Sequence, residues 1–289
     1  MANTVLSLQE QKNKQQKITM LTAYDYTTAK LFDDAGVNML LVGDSLGMVI
    51  LGYDDTLKVT MTDMIHHTKA VSRAAKSAFV VADLPFLSYH ISTENAVSNA
   101  GRLIQEGGAN AVKLEGGEAF SEVITAITRA AIPVVAHLGL TPQSVNVFGG
   151  FKVQGRTEDA ARQVIKDALA VQNAGAFAVV LEGIPAQLGE FISQILHIPT
   201  IGIGAGNATD GQVLVYQDML GMIDTPQPKF VRRFAEGGTL IKEAIARYQR
   251  DVQSGNFPND SESYKINSDI IQKLKQEFNT NNPLEGENS

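Results

Sequence analysis

Cysteine is absent from the sequence. Its absence removes disulfide bridges, thiolate metal ligands and cysteine nucleophiles together, and it suits a reducing cytoplasm. Positive charge is scarce: 24 Lys and Arg stand against 31 Asp and Glu, for a net charge of −7. No basic surplus is available to neutralise phosphates, which argues against nucleic acid as a partner while leaving room for a local cationic pocket. No apolar run is long enough for a signal peptide or a membrane span, and the N-terminal stretch MANTVLSLQEQKNKQQK is polar. The expectation is a soluble cytoplasmic protein with no membrane partner. Finally, no GxGxxG follows the first apolar strand, which disfavours an open dinucleotide-binding sheet.

What is present is ample material for a core: 289 residues, 44% hydrophobic and 19% charged. Short apolar runs at 17–23, 37–42, 78–82, 111–115, 133–137, 176–181, 199–203 and 212–215 read as strands. Helical spacing falls between and after them, at 27–35, 62–76, 93–106, 118–131, 158–174, 185–196 and 238–254. Eight such alternations predict an α/β fold, a single-domain (β/α)8 TIM barrel. The polar lead-in over 4–17 reads as one short helix. The barrel domain is expected over 1–264. Residues 265–289 are expected to be a polar C-terminal extension, with an amphipathic helix over 266–278 and the end a tail.

The stretch Ala111-Val-Lys-Leu-Glu-Gly-Gly117 sets the pattern for the chemistry. Lys113 and Glu115 are two residues apart, so on a strand they leave the same face. A strand apolar on both sides that ends in two opposite charges opens onto a pocket or holds a local ion pair. Other strands end similarly, in Asp25, Asp44 with Ser45, Asp83, His137 and Glu182. A barrel gathers its strand ends on one rim, where the active sites of such folds lie. Packing Asp44, Asp83 and Glu115 together costs several kcal/mol in repulsion and desolvation unless a cation joins them. Oxygen donors, no Cys and at most one His favour Mg²⁺ over Zn²⁺. The competing reading makes each aspartate a cap on the following helix.

Lys113 suits an anionic substrate group, and Ser45 can donate to the same group. Glu182 stands apart on the sixth strand; a carboxylate in a mostly apolar pocket holds a proton well and serves as general base. His137 is a further candidate for substrate contact. The glycine run Ile201-Gly-Ile-Gly-Ala-Gly206 is similar to a phosphate cradle. These parts imply Mg²⁺ chelated by a 2-oxo acid, a base beside the neighbouring carbon, and an enolate stabilised by the metal.

Seven segments carry a resemblance to a known family: 42–47 (VGDSLG), 60–70 (TMTDMIHHTKA), 82–86 (ADLPF), 112–117 (VKLEGG), 137–144 (HLGLTPQS), 148–155 (FGGFKVQG) and 201–207 (IGIGAGN). In this order they resemble the ketopantoate hydroxymethyltransferases. The resemblance implies a (β/α)8 barrel that transfers a hydroxymethyl group from 5,10-methylenetetrahydrofolate to 3-methyl-2-oxobutanoate. The product is 2-dehydropantoate, for pantothenate and coenzyme A synthesis. By position it implies Asp44, Asp83 and Glu115 as Mg²⁺ ligands, Asp44, Ser45, Asp83 and Lys113 as substrate contacts and Glu182 as proton acceptor. It also implies a cytoplasmic homo-oligomer, often a decamer of pentameric rings. Two departures stand beside it: Ala136 where the family commonly has Gly, and Gly183 where a larger residue is frequent. Both are expected to flank the rim and adjust pocket size. A rival Mg²⁺-dependent carbon–carbon lyase on 2-oxo acids would be expected to carry a catalytic Cys. A non-catalytic anion-binding barrel would leave Glu182 dispensable.

Overall fold

Eight short parallel strands hydrogen-bond in sequence order, and the last pairs back onto the first. They are β1 (Ile18–Thr22), β2 (Met39–Val42), β3 (Phe79–Asp83), β4 (Ala111–Glu115), β5 (Val134–Gly139), β6 (Ala178–Glu182), β7 (Thr200–Ile203) and β8 (Gly211–Leu214). The predicted (β/α)8 barrel is thus the fold. The computed structural model describes residues 2–150, 152–224 and 227–278. It divides into two compact units, Met1–Ala235 and Glu236–Ser289.

In the first unit, the polar lead-in forms α1 (Val5–Asn13). The connections carry α2 (Tyr26–Asp34), α3 (Leu46–Val49), α4 (Met61–Ala74), α5 (Thr93–Gln105), α6 (Ser121–Arg129), α7 (Val145–Phe148), α8 (Glu158–Asn173), α9 (Ala186–Ile195) and α10 (Tyr216–Met219). Several starts follow directly from the sequence. The side chains of Asp25, Thr60, Ser92 and Thr157 each accept a backbone N–H from the first turn of α2, α4, α5 and α8, which satisfies an otherwise orphaned donor. Asp25 is therefore a cap, with Oδ1 on Thr28 N and Oδ2 on Thr28 Oγ1. The short α3, α7 and α10 were not foreseen, being too brief to show a helical period.

Two apolar layers sandwich the strands. Val80, Ala82, Val112, Leu114, Ala136, Leu138, Val179 and Leu181 pack outward against the helices. Met39, Leu41, Phe79, Val81, Ala111, Val135, Ala178 and Val180 fill the barrel interior, together with Leu8 from α1. The alternation is the period of two expected of a strand. It explains why strands buried on both faces read as continuous apolar runs. Lys12 of α1 is tied to Asp210 by an ion pair of 2.7 Å.

In the second unit the predicted helices form as α11 (Gly237–Gln253) and α12 (Ser268–Phe278). Tyr248 and Phe257 meet there edge to face at 5.8 Å. The predicted tail beyond 278 lies outside the described residues. Among the described residues no helix is long and apolar enough to cross a membrane.

Asp33, near the end of α2, fixes where β3 begins. Its carboxylate accepts N–H groups from Lys76 (3.0 Å), Ser77 (2.8 Å) and Ala78 (2.6 Å). Burial pushes this carboxyl up, but the bonds from Ala78, Lys76 and Ser77 outweigh it and hold it below the usual range. Asp33→Asn is expected to lose about 2 kcal/mol by urea denaturation at neutral pH, the scale of hydrogen bonds to a charged acceptor. A carboxyl depressed in the folded state stabilises above its unfolded value, about 3.9, and that stability fades as pH falls through the folded value. The gap between parent and variant should therefore narrow on acidification.

Candidate active site

The interior rows of side chains continue past the apolar core into charge. On β3 the row Phe79, Val81 ends in Asp83. On β4 Ala111 is followed by Lys113 and Glu115, on β5 Val135 by His137, and on β6 Ala178 and Val180 by Glu182. Pairing of neighbouring strands sets Asp83 beside Lys113 and Glu115 beside His137. The result is a polar layer on top of the interior core, at the C-terminal mouth of the barrel. Asp44 joins it from the loop after β2.

Contacts in this layer are short and buried. Lys113 Nζ lies 3.0 Å from Asp83 Oδ1 and 3.3 Å from His137 Nδ1. His137 Nδ1 is 3.3 Å from Glu115 Oε1, and its Nε2 is 3.2 Å from Glu182 Oε2. Asp83 Oδ2 accepts the backbone N–H of Asp44 at 3.1 Å, while buried Asp83 Oδ1 makes only the ion pair with Lys113, outside good hydrogen-bond geometry. Ser45 Oγ sits 2.8 Å from the Tyr24 hydroxyl, and Tyr24 O is 2.7 Å from His67 Nδ1. Gly43 leaves the space this needs, since a Cβ there would lie 2.8 Å from Ser45 Oγ and 3.5 Å from Asp83 Oδ2.

The electrostatics follow from burial. Four carboxyl groups, Asp44, Asp83, Glu115 and Glu182, face one lysine and one histidine. Burial pushes the Asp44 carboxyl well up, and the charges of Asp83 and Glu115 push it further. Burial likewise raises Asp83, against the pull of Lys113. For Glu115 the effect of burial is overcome by the His137 hydrogen bond, and its carboxyl lies below the ordinary range. Lys113 is raised: burial opposes its charge, but Asp83, Glu115 and Asp44 outweigh burial. His137 is pushed up to about 9: burial and the Lys113 charge oppose its protonation, but the Glu115 and Glu182 carboxyl groups, 3.3 and 3.2 Å from its two ring nitrogens, outweigh them. Among the described residues no three acidic or imidazole side chains form a finished ion cage.

The rim therefore gathers Asp44, Asp83, Lys113, Glu115, His137 and Glu182, with Ser45 beside Asp44 in sequence and bonded to Tyr24. Three expectations need correction. Glu182 is not a lone carboxylate in an apolar pocket, because His137 links it to Glu115. Ala136 does not flank the rim: its side chain belongs to the outer layer under the helices. The glycine run after β7 is filled by protein, since a Cβ on Gly204 would lie 2.7 Å from the Phe230 ring and one on Gly206 2.6 Å from Ala186 Cβ. Close packing accounts for those glycines.

Two residues went unnoticed in the sequence. Gln143, in the 3-10 turn after β5, donates its backbone N–H to Glu115 Oε2 (2.9 Å) and its side-chain amide to Asp44 Oδ2 (2.8 Å). Tyr89 donates to Gln143 Oε1 at 2.8 Å. Both are neutral, so a search for charge at strand ends passes over them; for Gln143 the available signal was its place in the 137–144 motif.

The sequence profile of the family described as ketopantoate hydroxymethyltransferase matches residues 2–260. The chain belongs to this family. A relative from Clostridium novyi (strain NT), named 3-methyl-2-oxobutanoate hydroxymethyltransferase, is 60% identical over 274 residues, covering 95% of this chain and 100% of that protein. An Enterococcus faecalis (strain ATCC 700802 / V583) protein of the same name is 57% identical, with the same coverage. Among solved structures, phosphonopyruvate hydrolase in complex with oxalate and Mg++ superposes with a TM-score of 0.61 at 14% identity, over 96% of this chain and 97% of that one. A likeness at that identity shows the barrel and nothing finer. In this member of the family, four motifs supply the charged layer apart from Glu182: 42–47 gives Asp44 and Ser45, 82–86 gives Asp83, 112–117 gives Lys113 and Glu115, and 137–144 gives His137 and Gln143.

Lys113 is 4% exposed, and removing one partner of a buried ion pair leaves an uncompensated charge. Lys113→Met is expected to lower unfolding stability by about 3 kcal/mol, read by urea denaturation of both proteins at neutral pH. An unchanged midpoint would show that Asp83 is neutralised by some other group.

Proposed function

We propose that the barrel mouth transfers a hydroxymethyl group from 5,10-methylenetetrahydrofolate to 3-methyl-2-oxobutanoate, the acceptor in the relatives' name, giving 2-dehydropantoate for pantothenate synthesis. The observation that supports this is the continuous chain from Asp44 through Gln143 and Glu115 to His137 and Glu182, carried on four strand ends of a family member.

Asp44, Asp83 and Glu115 fit a Mg²⁺ ion by the chemistry of the donor set. All are hard oxygens, they are buried together, and burial pushes the carboxyl groups of Asp44 and Asp83 up, which a bound cation would relieve. When bound, the ion supplies Lewis acidity that draws electron density from a carbonyl oxygen. The remaining work falls to the chain. Lys113 offers a point charge to the substrate carboxylate, and Ser45, turned by Tyr24, donates a hydrogen bond beside it. Glu182 takes the proton from C3 of the oxo acid. Its side chain is 15% exposed, against 4% for Asp83, and His137 holds Oε2, so Oε1 is the oxygen suited to receive the proton. The two C–N bonds of the methylene bridge break, water giving its oxygen to that carbon and its protons to the two nitrogens of departing tetrahydrofolate. C3 bonds to the same carbon, and the proton taken from C3 is returned to its oxygen as the hydroxyl. We extend the family's cytoplasmic location and homodecameric assembly to this chain as part of the same reading.

Solvent deuterium entering C3 of 3-methyl-2-oxobutanoate, followed by NMR, isolates the proton step from folate chemistry. With Mg²⁺ present the parent is expected to exchange, and Glu182→Gln to exchange at least ~100-fold more slowly, within the range of general-base catalysis. Undiminished exchange in the variant would remove Glu182 from that role. EDTA should stop exchange by the parent; exchange that survives it would reject the ion.

A further inference from the structure

We infer that Gln143 is a positioning residue that sets Asp44 and Glu115 for a divalent cation, with Tyr89 holding its amide oxygen; this rests on the Mg²⁺ reading above. Gln143 is 5% exposed and saturated with partners. Its two side-chain N–H groups go to Asp44 Oδ2 (2.8 Å) and the Leu84 carbonyl (3.0 Å), and its backbone N–H goes to Glu115 Oε2 (2.9 Å). Its Oε1 accepts from the Tyr89 hydroxyl at 2.8 Å. That hydroxyl also accepts the Glu115 backbone N–H at 3.2 Å.

Only one orientation of the amide satisfies these neighbours. Turning it over would aim Oε1 at a carboxylate and a carbonyl, both of which only accept. Asp44 and the Leu84 carbonyl thus select the orientation in which the amide donates to both. The Tyr89 hydroxyl, which also lies 3.2 Å from the Glu115 carbonyl, meets the amide oxygen at the shorter distance of 2.8 Å and holds it there.

The choice of a neutral group has a consequence for binding. An arginine or lysine here could also donate to Asp44, but its positive charge would repel a cation. Gln143 orients Asp44, from the loop after β2, through its amide and Glu115, on β4, through its backbone N–H, and adds no positive charge of its own. Groups that orient metal-binding side chains in this way are worth about 10–100-fold in metal affinity.

Mn²⁺ titration of the chelator-stripped full chain, followed by the EPR signal of free Mn²⁺, tests this without any turnover. The parent should bind, and Gln143→Met, which keeps length but loses the amide, should bind at least ~10-fold more weakly. Tyr89→Phe should also weaken binding while keeping the ring packing. Thermal melts of the stripped proteins run alongside. A merely structural role would lower the melting temperature and leave the affinity of the folded protein unchanged. Equal affinity in parent and Gln143→Met would overturn the inference while leaving the ion in place. Should Gln143→Met fail to fold, unaltered affinity in Tyr89→Phe would overturn it instead. A parent that does not bind Mn²⁺ would overturn the metal reading and this inference with it.

Discussion

A buried ammonium holds the mouth of this barrel together. Lys113 Nζ stands 3.0 Å from Asp83 and 3.3 Å from His137, among carboxyl groups that would otherwise repel one another inside a low-dielectric layer. Without a cation on β4, Asp83 would take up a proton and Asp44, whose backbone N–H it accepts, would lose that anchor. With it, the layer still carries more carboxylate than cation. That excess of carboxyl groups over Lys113 and His137 distinguishes the cluster from an ordinary structural ion pair, and in the function proposed above it is what a divalent ion would relieve.

The barrel delivers this layer by a simple rule of parity. Alternate residues of each strand face the interior, so one apolar row, followed upward, becomes a polar row without any change of direction. Phe79, Val81 and Asp83 share a row, as do Ala178, Val180 and Glu182. Apolar burial beneath fixes the register of every strand, and a slip of one residue would send the charged group into the layer under the helices. The packing that stabilises the fold is therefore the same packing that aims the chemistry. At Gly139 the coupling is close: a Cβ there would run into the Glu182 carbonyl, so the backbone of β5 packs directly on the strand end that carries the base of the proposed reaction.

Parity also explains what could be read from the sequence. Lys113 and Glu115, two apart on a strand apolar elsewhere, announce a common face. Asp44, Asp83 and Glu182 close apolar runs, and eight such runs specify the barrel. Charged residues at strand ends are thus legible singly, and the fold brings them together. Asp25 looked the same in sequence yet caps α2, because a strand-end aspartate can equally turn back on the next helix. Its neighbour Thr28 supplies both partners of that cap. What stayed hidden is the lateral wiring. Nothing in the residues 137–144 says that Gln143 crosses to Asp44, and nothing says that His137 bridges Glu115 and Glu182. Those links depend on which strand ends become neighbours and how the following turn folds back, both of which are tertiary facts.

The wiring is mostly neutral or shared, and that bears on how the layer can persist. Glu115 faces His137 at 3.3 Å with one oxygen and accepts the Gln143 backbone N–H with the other, so its charge is shared between an ion-pair contact and a directional bond. Asp44 is held by one amide and one backbone contact and remains the most strained carboxyl of the group, pushed up by burial and by two like charges. Strain of this kind survives only where the surroundings over-determine it. Here the surroundings are a closed ring of strands with a filled interior and Leu8 packed into it, which leaves the charges no room to separate. A looser scaffold would relieve the repulsion by letting Asp44 turn to water, and with it would go the one acidic group that reaches the cluster from outside a strand.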